Sequence, residues 1–326
     1  MIMKAKLNLL VLFATLILGI SCTKEYHNPA KPPQTGGNPV TIHRYGSMKD
    51  FYALNAVKST TFSADGTTGT TTTTSHGTLI SIPANAFVTL AGNPVTGTVS
   101  IEYKELYKKS DMLFSDKPTV LFNGAPLKSG GEFFMKATAN GAAVQIAPGN
   151  FITVEQPLNG FPFDPAMMAF TAVTDTFQWV PANNAAVNDS VVGYSYTSYI
   201  FGLYTFNYPE DSGTWCNSDN GSFFSSYPQT VLTMHQNDNP QLYGTDVFLI
   251  FSDINSMIHV YSDAGGDFPY MYAPQGLNCT VVAVGVRDSM LYSSFVPVTI
   301  GANQTVNFSM HQTTDADFYQ KVDALN

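Results

Sequence analysis

Acid–base or nucleophilic chemistry would require suitably placed histidines or one of the usual catalytic motifs. The six histidines are widely spaced, and no HExxH or other close pair places two of them on one element. Two of them, His259 and His311, fall in strand-like runs and are interpreted as packed or edge residues. No GxSxG, P-loop or GxGxxG motif is present. The sequence therefore predicts no catalytic residue and no cofactor, and we expect a protein that is not an enzyme.

Acidic side chains offer one route to catalysis that the motifs do not cover. Glu102, Glu105, Glu132 and Glu155 lie in segments with strand-like alternation. Two of them could converge across a sheet, as the acid pair of a glycosidase does. Carboxylates of this kind are more often solvated on the polar face of a sheet. A hydrolase with a site assembled across strands therefore stays open only as an alternative.

The segment before Cys22 has the features of an export signal. Lys4 and Lys6 form a short basic start, and an apolar run over residues 7–20 follows. The run is too short for a membrane span of about 20 residues but suits the apolar part of a secretory signal. Residues 18–22, LGISC, resemble the lipobox of bacterial lipoproteins. The resemblance implies a signal peptide over residues 1–21 and acylation of Cys22; an ordinary secretory signal followed by an unrelated cysteine is the alternative.

Charge and hydropathy predict how the mature chain meets the membrane. Cleavage removes Lys4 and Lys6 from the 15 basic residues and none of the 24 acidic ones, so the net charge falls from −9 to −11. An anionic body is not drawn to anionic headgroups, so membrane lipid is contacted through the acyl chains on Cys22. The acidic balance also argues against nucleic acid as a partner. No second apolar run is long enough to span a bilayer.

The residues after Cys22 indicate which membrane of the cell envelope holds the protein. Thr23 stands where an Asp would resemble an inner-membrane retention signal. Lys24-Glu25 loosely resembles the acidic surface-export signals of Bacteroidetes lipoproteins. The predicted location is the outer membrane, facing either the periplasm or the cell surface.

Composition and periodicity predict an all-β fold. Charged residues make up only 12% of the chain, where about 25% is usual, and 44% is hydrophobic. Residues 22–43 are rich in proline, glycine and polar side chains and are predicted to form a flexible tether. Short alternating segments separated by turns then predict two tandem β-sandwich-like domains, at 44–160 and 161–326. A short C-terminal helix is predicted over residues 315–325.

Three local patterns complete the predicted elements. Ser47 is expected to cap a short helix. Residues 66–75, GTTGTTTTTS, have no apolar face and are predicted to form an exposed loop. Residues 217–221, NSDNG, are rich in oxygen ligands but lack the spacing of an EF-hand calcium loop. A plain turn is therefore predicted there, and no metal site.

Two stretches resemble known β modules. Residues 77–87 (GTLISIPANAF) and 92–99 (GNPVTGTV) look like a module of large Bacteroidetes surface lipoproteins that is distantly similar to ZU5-like β domains. Members of that family tend to carry a Trp-x-Asn-Cys-Asp element, and residues 215–219, WCNSD, match it with the cysteine displaced. The stretch 274–286 resembles a carboxypeptidase-regulatory-like sandwich. The resemblance implies a fold and an envelope location, and it implies no chemistry.

Cys216 and Cys279 are the two cysteines that remain if Cys22 is acylated. Two cysteines are too few for a cysteine-based zinc site. Because an exported compartment permits oxidation, one interpretation is a disulfide that closes a loop of about 60 residues and stabilises by about 4 kcal/mol. Two separately buried thiols are the other interpretation.

Short Asp-Ser-apolar patterns mark two candidate modification sites. Asp189-Ser190-Val191 and Asp288-Ser289-Met290 resemble Bacteroidetes O-glycosylation sites. Ser190 and Ser289 are therefore candidates, although three-residue patterns recur often by chance.

The most aromatic stretch is YSYTSYIFGLYTFNY, residues 194–208, in which seven of fifteen residues are aromatic. A tyrosine buries its ring and still hydrogen-bonds through its hydroxyl, so such a row suits an inter-domain seam or a sugar platform. The seam is the preferred interpretation, and it places Tyr204 in a buried position.

Three functions are compatible with these patterns. The leading one is a non-enzymatic binding, adhesion or assembly role for a membrane-anchored lipoprotein, with another envelope protein as partner. The second is a glycan-binding accessory protein of an outer-membrane uptake system, with a surface glycan as partner, and the third is the hydrolase. A cluster of exposed aromatic residues favours the second, and a deep acidic cleft with a carboxylate of raised pKa favours the third.

Overall fold

The protein is described by a computed structural model that covers residues 44–173, 177–182, 185–189, 197–206 and 213–326. Strands make up 49% of it and helices 12%. The predicted all-β fold with a short C-terminal helix is therefore confirmed. In this part of the chain, no helix is long and apolar enough to cross a membrane. The predicted signal peptide and tether lie outside the described residues.

The first group of strands forms two sheets, which together we call the N-terminal sandwich. Its strands are β1 (Thr60–Asp65), β2 (Thr70–Thr73), β3 (Leu79–Ile82), β4 (Phe87–Thr89), β5 (Thr98–Leu106), β6 (Lys128–Ala139), β7 (Ala142–Ile146), β8 (Ile152–Pro157), β9 (Met168–Val173), β10 (Gln178–Pro181), β11 (Ala185–Asp189), β12 (Ser198–Leu203) and β13 (Thr214–Asn220). The larger sheet has the order β1-β5-β6-β13-β9-β10, with β7 pairing to β6 and β4 to β7. The smaller sheet has the order β11-β12-β8-β3-β2.

The core of the N-terminal sandwich lies between these sheets. The alternation predicted at Val99, Ile101 and Tyr103 is confirmed, since all three side chains are buried there. Phe133 from the larger sheet and Phe201 from the smaller one meet in this core, with ring centres 5.0 Å apart. One face of each sheet is therefore apolar, as alternation requires.

The later strands form two further sheets, which we call the C-terminal sandwich. They are β14 (Gln229–Gln236), β15 (Asp246–Phe251), β16 (Met257–Val260), β17 (Phe268–Pro274), β18 (Asn278–Arg287), β19 (Met290–Thr299), β20 (Gln304–Phe308) and β21 (His311–Gln312). The sheet orders are β17-β14-β20 and β16-β15-β18-β19-β21. A second apolar core, which includes Leu232, Leu249 and Val281, contains residues of both sheets.

The sheets change over after Asn220 and not at the predicted boundary of residue 160. Strand β13 lies between β6 and β9, and β12 pairs with β8. Strands β9 to β13 therefore complete sheets that begin in the first 160 residues. Local alternation identifies strands but carries no information about which distant strand each one joins, which explains the difference. All described residues belong to one compact unit, Ile42–Asn326.

Three helices pack on the outer face of the β15–β18 sheet. They are α1 (Met48–Asn55), α2 (Lys109–Phe114) and α3 (Asp315–Asp323). The predicted cap is confirmed, since the side chain of Ser47 accepts from Asp50 N at 3.3 Å. The side chain of Thr314 caps α3 in the same way and accepts from Asp317 N at 3.2 Å. The helices contribute Phe51, Phe114 and Phe318 to a third apolar cluster, and β5 and β15 add to it as well.

Two segments predicted as loop and turn contain strand residues in the structure. Within residues 66–75, β2 pairs with β3 at the edge of the smaller sheet. Ladder hydrogen bonds need no apolar face, and threonine has good strand propensity, so an edge position accommodates this run. The predicted plain turn at 217–221 is also wrong, because Asn217–Asn220 form the buried end of β13.

Candidate functional site

The two C-terminal cysteines do not form the candidate disulfide. Both are free, buried thiols. Cys216 lies in the core of the N-terminal sandwich and Cys279 in that of the C-terminal sandwich. Burial raises the pKa of the Cys279 thiol to about 12 and that of Cys216 above its usual range. The interpretation as two packed thiols is the one that the structure shows.

The candidate modification sites are only partly within the structure. Ser289 lies with Asp288 in the two-residue turn between β18 and β19, and both have a positive φ, of 63° and 52°. This turn places Ser289 at the surface end of a hairpin. Ser190 and Cys22 lie outside the described residues, so their modifications stay predictions.

The prediction that Tyr204 is buried in an inter-domain seam is wrong. Tyr204 is 45% exposed and contacts Phe151, with ring centres 5.5 Å apart. Tyr199, Phe201 and Phe206 are buried within the N-terminal sandwich. Tyr194, Tyr196 and Tyr208 fall outside the described residues. Strand β12 ends at Leu203, so Tyr204 lies just beyond the strand and does not follow its alternation of buried and exposed faces.

Three of the four strand carboxylates have separate hydrogen-bonding surroundings in the structure. Glu105 accepts hydrogen bonds from Thr78 at 2.7 Å and lies 2.7 Å from His76 Nδ1. Glu155 accepts from Ser198 at 2.6 Å. Glu132 has a pKa raised by burial, but it is fully buried and not in a cleft, so a substrate does not reach it. Within the described ranges, no three His, Cys, Asp or Glu side chains are grouped to hold a metal ion.

An exposed groove lined by aromatic side chains lies on the C-terminal sandwich. It has a volume of about 230 Å³ and is formed by β16, β17 and the loop after Val120. Tyr261, Met271 and Tyr272 in its lining are 63%, 59% and 40% exposed. Phe122, in the same loop as Gly124 of the lining, is also exposed. Large exposed apolar side chains that cluster in this way mark a binding surface.

A β-bulge turns two of these side chains outward. On β17, Ala273 pairs with Thr230 and Tyr270 pairs with Leu232. Met271 and Tyr272 therefore oppose a single residue of β14, which defines a bulge. Both are exposed, whereas Tyr270 is buried. Strand β17 is not evident from the sequence, because its two prolines obscure the alternation of aromatic residues in FPYMYAP.

Neighbouring groups hold the tyrosine rings of the groove in place. Tyr261 stacks on His259, with ring centres 4.4 Å apart and an angle of 27° between the planes. The ring of Tyr272 lies against Gly124, where an added Cβ would approach it to 3.1 Å. The Tyr270 hydroxyl donates to Gly124 O at 3.1 Å. Rings held in this way lose little freedom when a ligand binds, which favours affinity.

His259 carries a charge beneath the groove that two aspartates neutralise. Its Nδ1 lies 2.9 Å from Asp116 Oδ1, and its Nε2 lies 3.5 Å from Asp246 Oδ1. Burial lowers the pKa of His259, but the hydrogen bonds and charges of both aspartates outweigh this and raise it to about 9. The interpretation of His259 as a packed strand residue is confirmed, since it is buried. The groove surface is therefore formed by neutral rings and the amide of Gln178.

Comparisons with known proteins assign no family to this chain. No protein-family model matches the chain, and no curated protein matches it at a significant level. The resemblances of residues 77–99 and 274–286 therefore stay predictions.

Proposed function

We propose that the protein is a membrane-anchored, non-enzymatic lipoprotein that binds a glycan in the aromatic groove. The observation that supports this is the pair of exposed, supported rings of Tyr261 and Tyr272. Sugar rings have apolar C–H faces that pack on aromatic rings, and their hydroxyls bond to polar groups such as the amide of Gln178. Among the functions considered from sequence, this geometry favours the accessory protein of a glycan uptake system.

The charge of the chain indicates which glycans suit the groove. The chain has a net charge of −9, and the cationic side chain of His259 beneath the groove is paired with Asp116 and Asp246. A polyanionic glycan would be repelled and would find no free cation in the lining, so a neutral glycan is the expected ligand. The groove volume is below the range of about 300–1,000 Å³ that is typical of drug-sized pockets, so the groove suits a short segment of a glycan.

Substitution of the groove tyrosines tests this function. Tyr261→Ala and Tyr272→Ala should each weaken binding of a neutral glycan by about tenfold or more, or about 1.4 kcal/mol, because each removes a stacking surface. The melting temperature should change little in Tyr272→Ala and should fall in Tyr261→Ala, because the Tyr261 ring also packs on His259. Array screening of wild-type protein against neutral glycans, followed by calorimetry on the best binder, measures this.

Tyr204→Ala is the matched control, since it removes a tyrosine of similar exposure outside the groove. It should bind the same glycan as the wild type does. Undiminished binding by both groove variants would contradict the proposal. Absence of any neutral-glycan binding by the wild type would leave adhesion or assembly with an envelope protein as the better function.

We also propose that the anchor is the acylated Cys22. The lipobox-like residues 18–22 support this, and so does the net negative charge of the chain, which does not favour binding to anionic headgroups. The eighteen residues from Cys22 to Pro39 would reach about 60 Å if fully extended. A folded part on such a tether can meet glycans away from the bilayer.

Cys22→Ala should release the protein from the outer-membrane fraction, because the acyl chains are its only proposed contact with lipid. Fractionation of cells, with mass spectrometry of the N-terminal peptide, measures the effect. Retention of the variant in the membrane, together with an unacylated wild-type peptide, would refute lipid anchoring. Ser289→Ala serves as the control and should leave the fractionation unchanged.

A further inference from the structure

One edge of the smaller sheet of the N-terminal sandwich is left free. Strand β2 is the last strand of that sheet and pairs only with β3 in the part of the chain that the structure describes. It consists of four threonines, without charge or proline, and its register with β3 is continuous. Edge strands of natural proteins usually carry a charge, a proline or a bulge that prevents pairing with another chain. Strand β2 has none of these and is therefore open to a further strand.

The backbone groups on the free edge of β2 belong to Thr71 and Thr73. Thr74 N donates to Thr78 O at 2.9 Å, and Gly77 N donates to Thr74 O at 3.1 Å, so the backbone of Thr74 faces β3. Because backbone groups alternate between the two edges of a strand, those of Thr71 and Thr73 point away from β3. The described residues contain no hydrogen bond to these outward groups. Both residues are exposed, so their amides and carbonyls are available for pairing.

The adjoining edge of the larger sheet is free in the same way. Strand β1 pairs only with β5 among the described strands, and residues 66–69 connect β1 to β2. A groove of about 290 Å³ lies between the two edges, and Phe62, Thr72 and Tyr103 are among the residues that line it. Phe62 is partly buried and packs against the apolar core. The two sheets are thus not closed over their core on this side, and covering the groove would bury apolar surface.

Charged groups lie at opposite ends of this free side. Asp65 is exposed at the end where β1 turns into β2. At the other end, the groove lining includes Lys58 and Lys104, whereas Glu105 there is buried and lies 2.7 Å from His76 Nδ1. An antiparallel copy of the same edge would bring its acidic end toward the basic end of the first chain. The free side is therefore electrostatically complementary to a second copy of itself.

We propose that two copies of the chain associate by antiparallel pairing of their β2 strands about a two-fold axis at Thr72. In this register Thr71 lies opposite Thr73 of the partner subunit, and each such pair exchanges both of its outward hydrogen bonds. Cross-strand threonine pairs are favourable, and β2 carries no like charges that would repel. The contact is isologous, and because the axis is perpendicular to the sheet, it also brings the two β1 edges and the two grooves together. The net charge of −9 opposes association only weakly, since charges more than about 8 Å apart are largely screened at physiological ionic strength.

A cysteine on the two-fold axis tests this pairing. In an antiparallel pair that is not hydrogen-bonded, the Cα atoms are about 4.5 Å apart, within the range of about 4.4–6.8 Å that disulfides span. Thr72→Cys should therefore give a disulfide-linked dimer when intact cells that express the full chain are oxidised, as measured on non-reducing gels. The wild-type chain gives the background from the native cysteines, of which Cys216 and Cys279 are buried.

Ser75→Cys is the matched control, since Ser75 is exposed and follows β2 closely but lies three residues from the axis. In the proposed dimer the two copies of residue 75 are about 20 Å apart, at about 3.3 Å per residue, which is too far for a disulfide. The yield of linked dimer should be at least about tenfold higher for Thr72→Cys, because only this residue lies within disulfide distance of its own copy. Equal yields from the two variants would indicate random collision and would overturn the proposal.

A second substitution in the Thr72→Cys chain assigns the link to the strand edge. Thr73→Pro removes an outward amide that makes no bond to β3 and should abolish the link, whereas Thr73→Val keeps the amide and should retain it. A link that persists in Thr73→Pro would contradict pairing through β2. A Thr72→Cys chain that reacts with a maleimide but forms no dimer, or that links to a different protein, would show that a second copy is not the partner. The comparison of the two cysteine variants does not depend on whether the proline variant folds.

Discussion

The free energy of unfolding should fall by about 3 kcal/mol as the pH rises from about 6.5 to about 9, because His259 then loses its proton. In the folded protein, the carboxylates of Asp116 and Asp246 outweigh burial and raise the pKa of His259 to about 9. The unfolded chain keeps the ordinary pKa near 6.5. Below pH 6.5 both states hold the proton, and the ion pairs contribute in full. Between the two pKa values only the folded state holds it, so the contribution declines and is lost above pH 9.

The surroundings of His259 explain why this effect should be large. Its ring is packed between Phe248 and Tyr261, at 4.5 and 4.4 Å between ring centres. Asp246 is oriented by a hydrogen bond from the Tyr52 hydroxyl at 2.7 Å. These contacts bury the imidazole, of which only 5% is exposed, so its charge is screened less than a charge at the surface is. The histidine also joins α1 and β15 to the groove, since it supports Tyr261.

A comparison with His259→Gln isolates this term. Lys109 acts in the opposite direction, because burial lowers its pKa to about 8 and its deprotonation stabilises the folded state above that pH. Lys109 is present in both proteins, so subtraction removes its contribution. Urea unfolding at a series of pH values measures both curves. A decline of the same size in the variant would show that another group is responsible.

Phe318→Ala should lower the free energy of unfolding by about 3–5 kcal/mol, because it empties the centre of the third apolar cluster. Phe318 is fully buried on α3, and its ring centre lies 5.8 Å from Phe51, 6.0 Å from Phe114 and 5.6 Å from Phe295. These partners lie on two other helices and on β19. The cavity would be lined by rings from separate elements, which relax poorly around a void.

Phe122→Ala is the matched control, since it removes the same side chain from an exposed position. It should change the free energy of unfolding by less than about 0.5 kcal/mol. Denaturant unfolding of both variants measures the difference, and hydrogen exchange should show α3 opening more readily in Phe318→Ala. Equal stabilities of the two variants would mean that α3 does not contribute to the cooperative fold.

Features that depend on neighbours along the chain were predictable. The alternation at Val99, Ile101 and Tyr103 places every second side chain in the core, because side chains of a strand point to opposite faces. Ser47 and Thr314 accept hydrogen bonds from backbone amides three residues later, so local sequence determines where these helices begin. The all-β class follows from the same periodicity.

Features that depend on which distant strands pair were not predictable. The separation of Cys216 from Cys279 into two cores depends on β13 inserting between β6 and β9. The same insertion places Asn217 opposite Glu132, although 84 residues lie between them in the chain. Local alternation is identical whether a strand joins one sheet or another.

The aromatic groove shows the same division within one short segment. The tyrosines of FPYMYAP are visible in the sequence, and tyrosine is known to serve both cores and binding surfaces. Only the bulge opposite β14 buries Tyr270 and exposes Tyr272 two positions later. The residue types thus determined that some aromatic side chains would be exposed, and Tyr204 is another example. The tertiary structure decided where it is exposed, because a one-residue shift in strand register exchanges the buried and exposed faces.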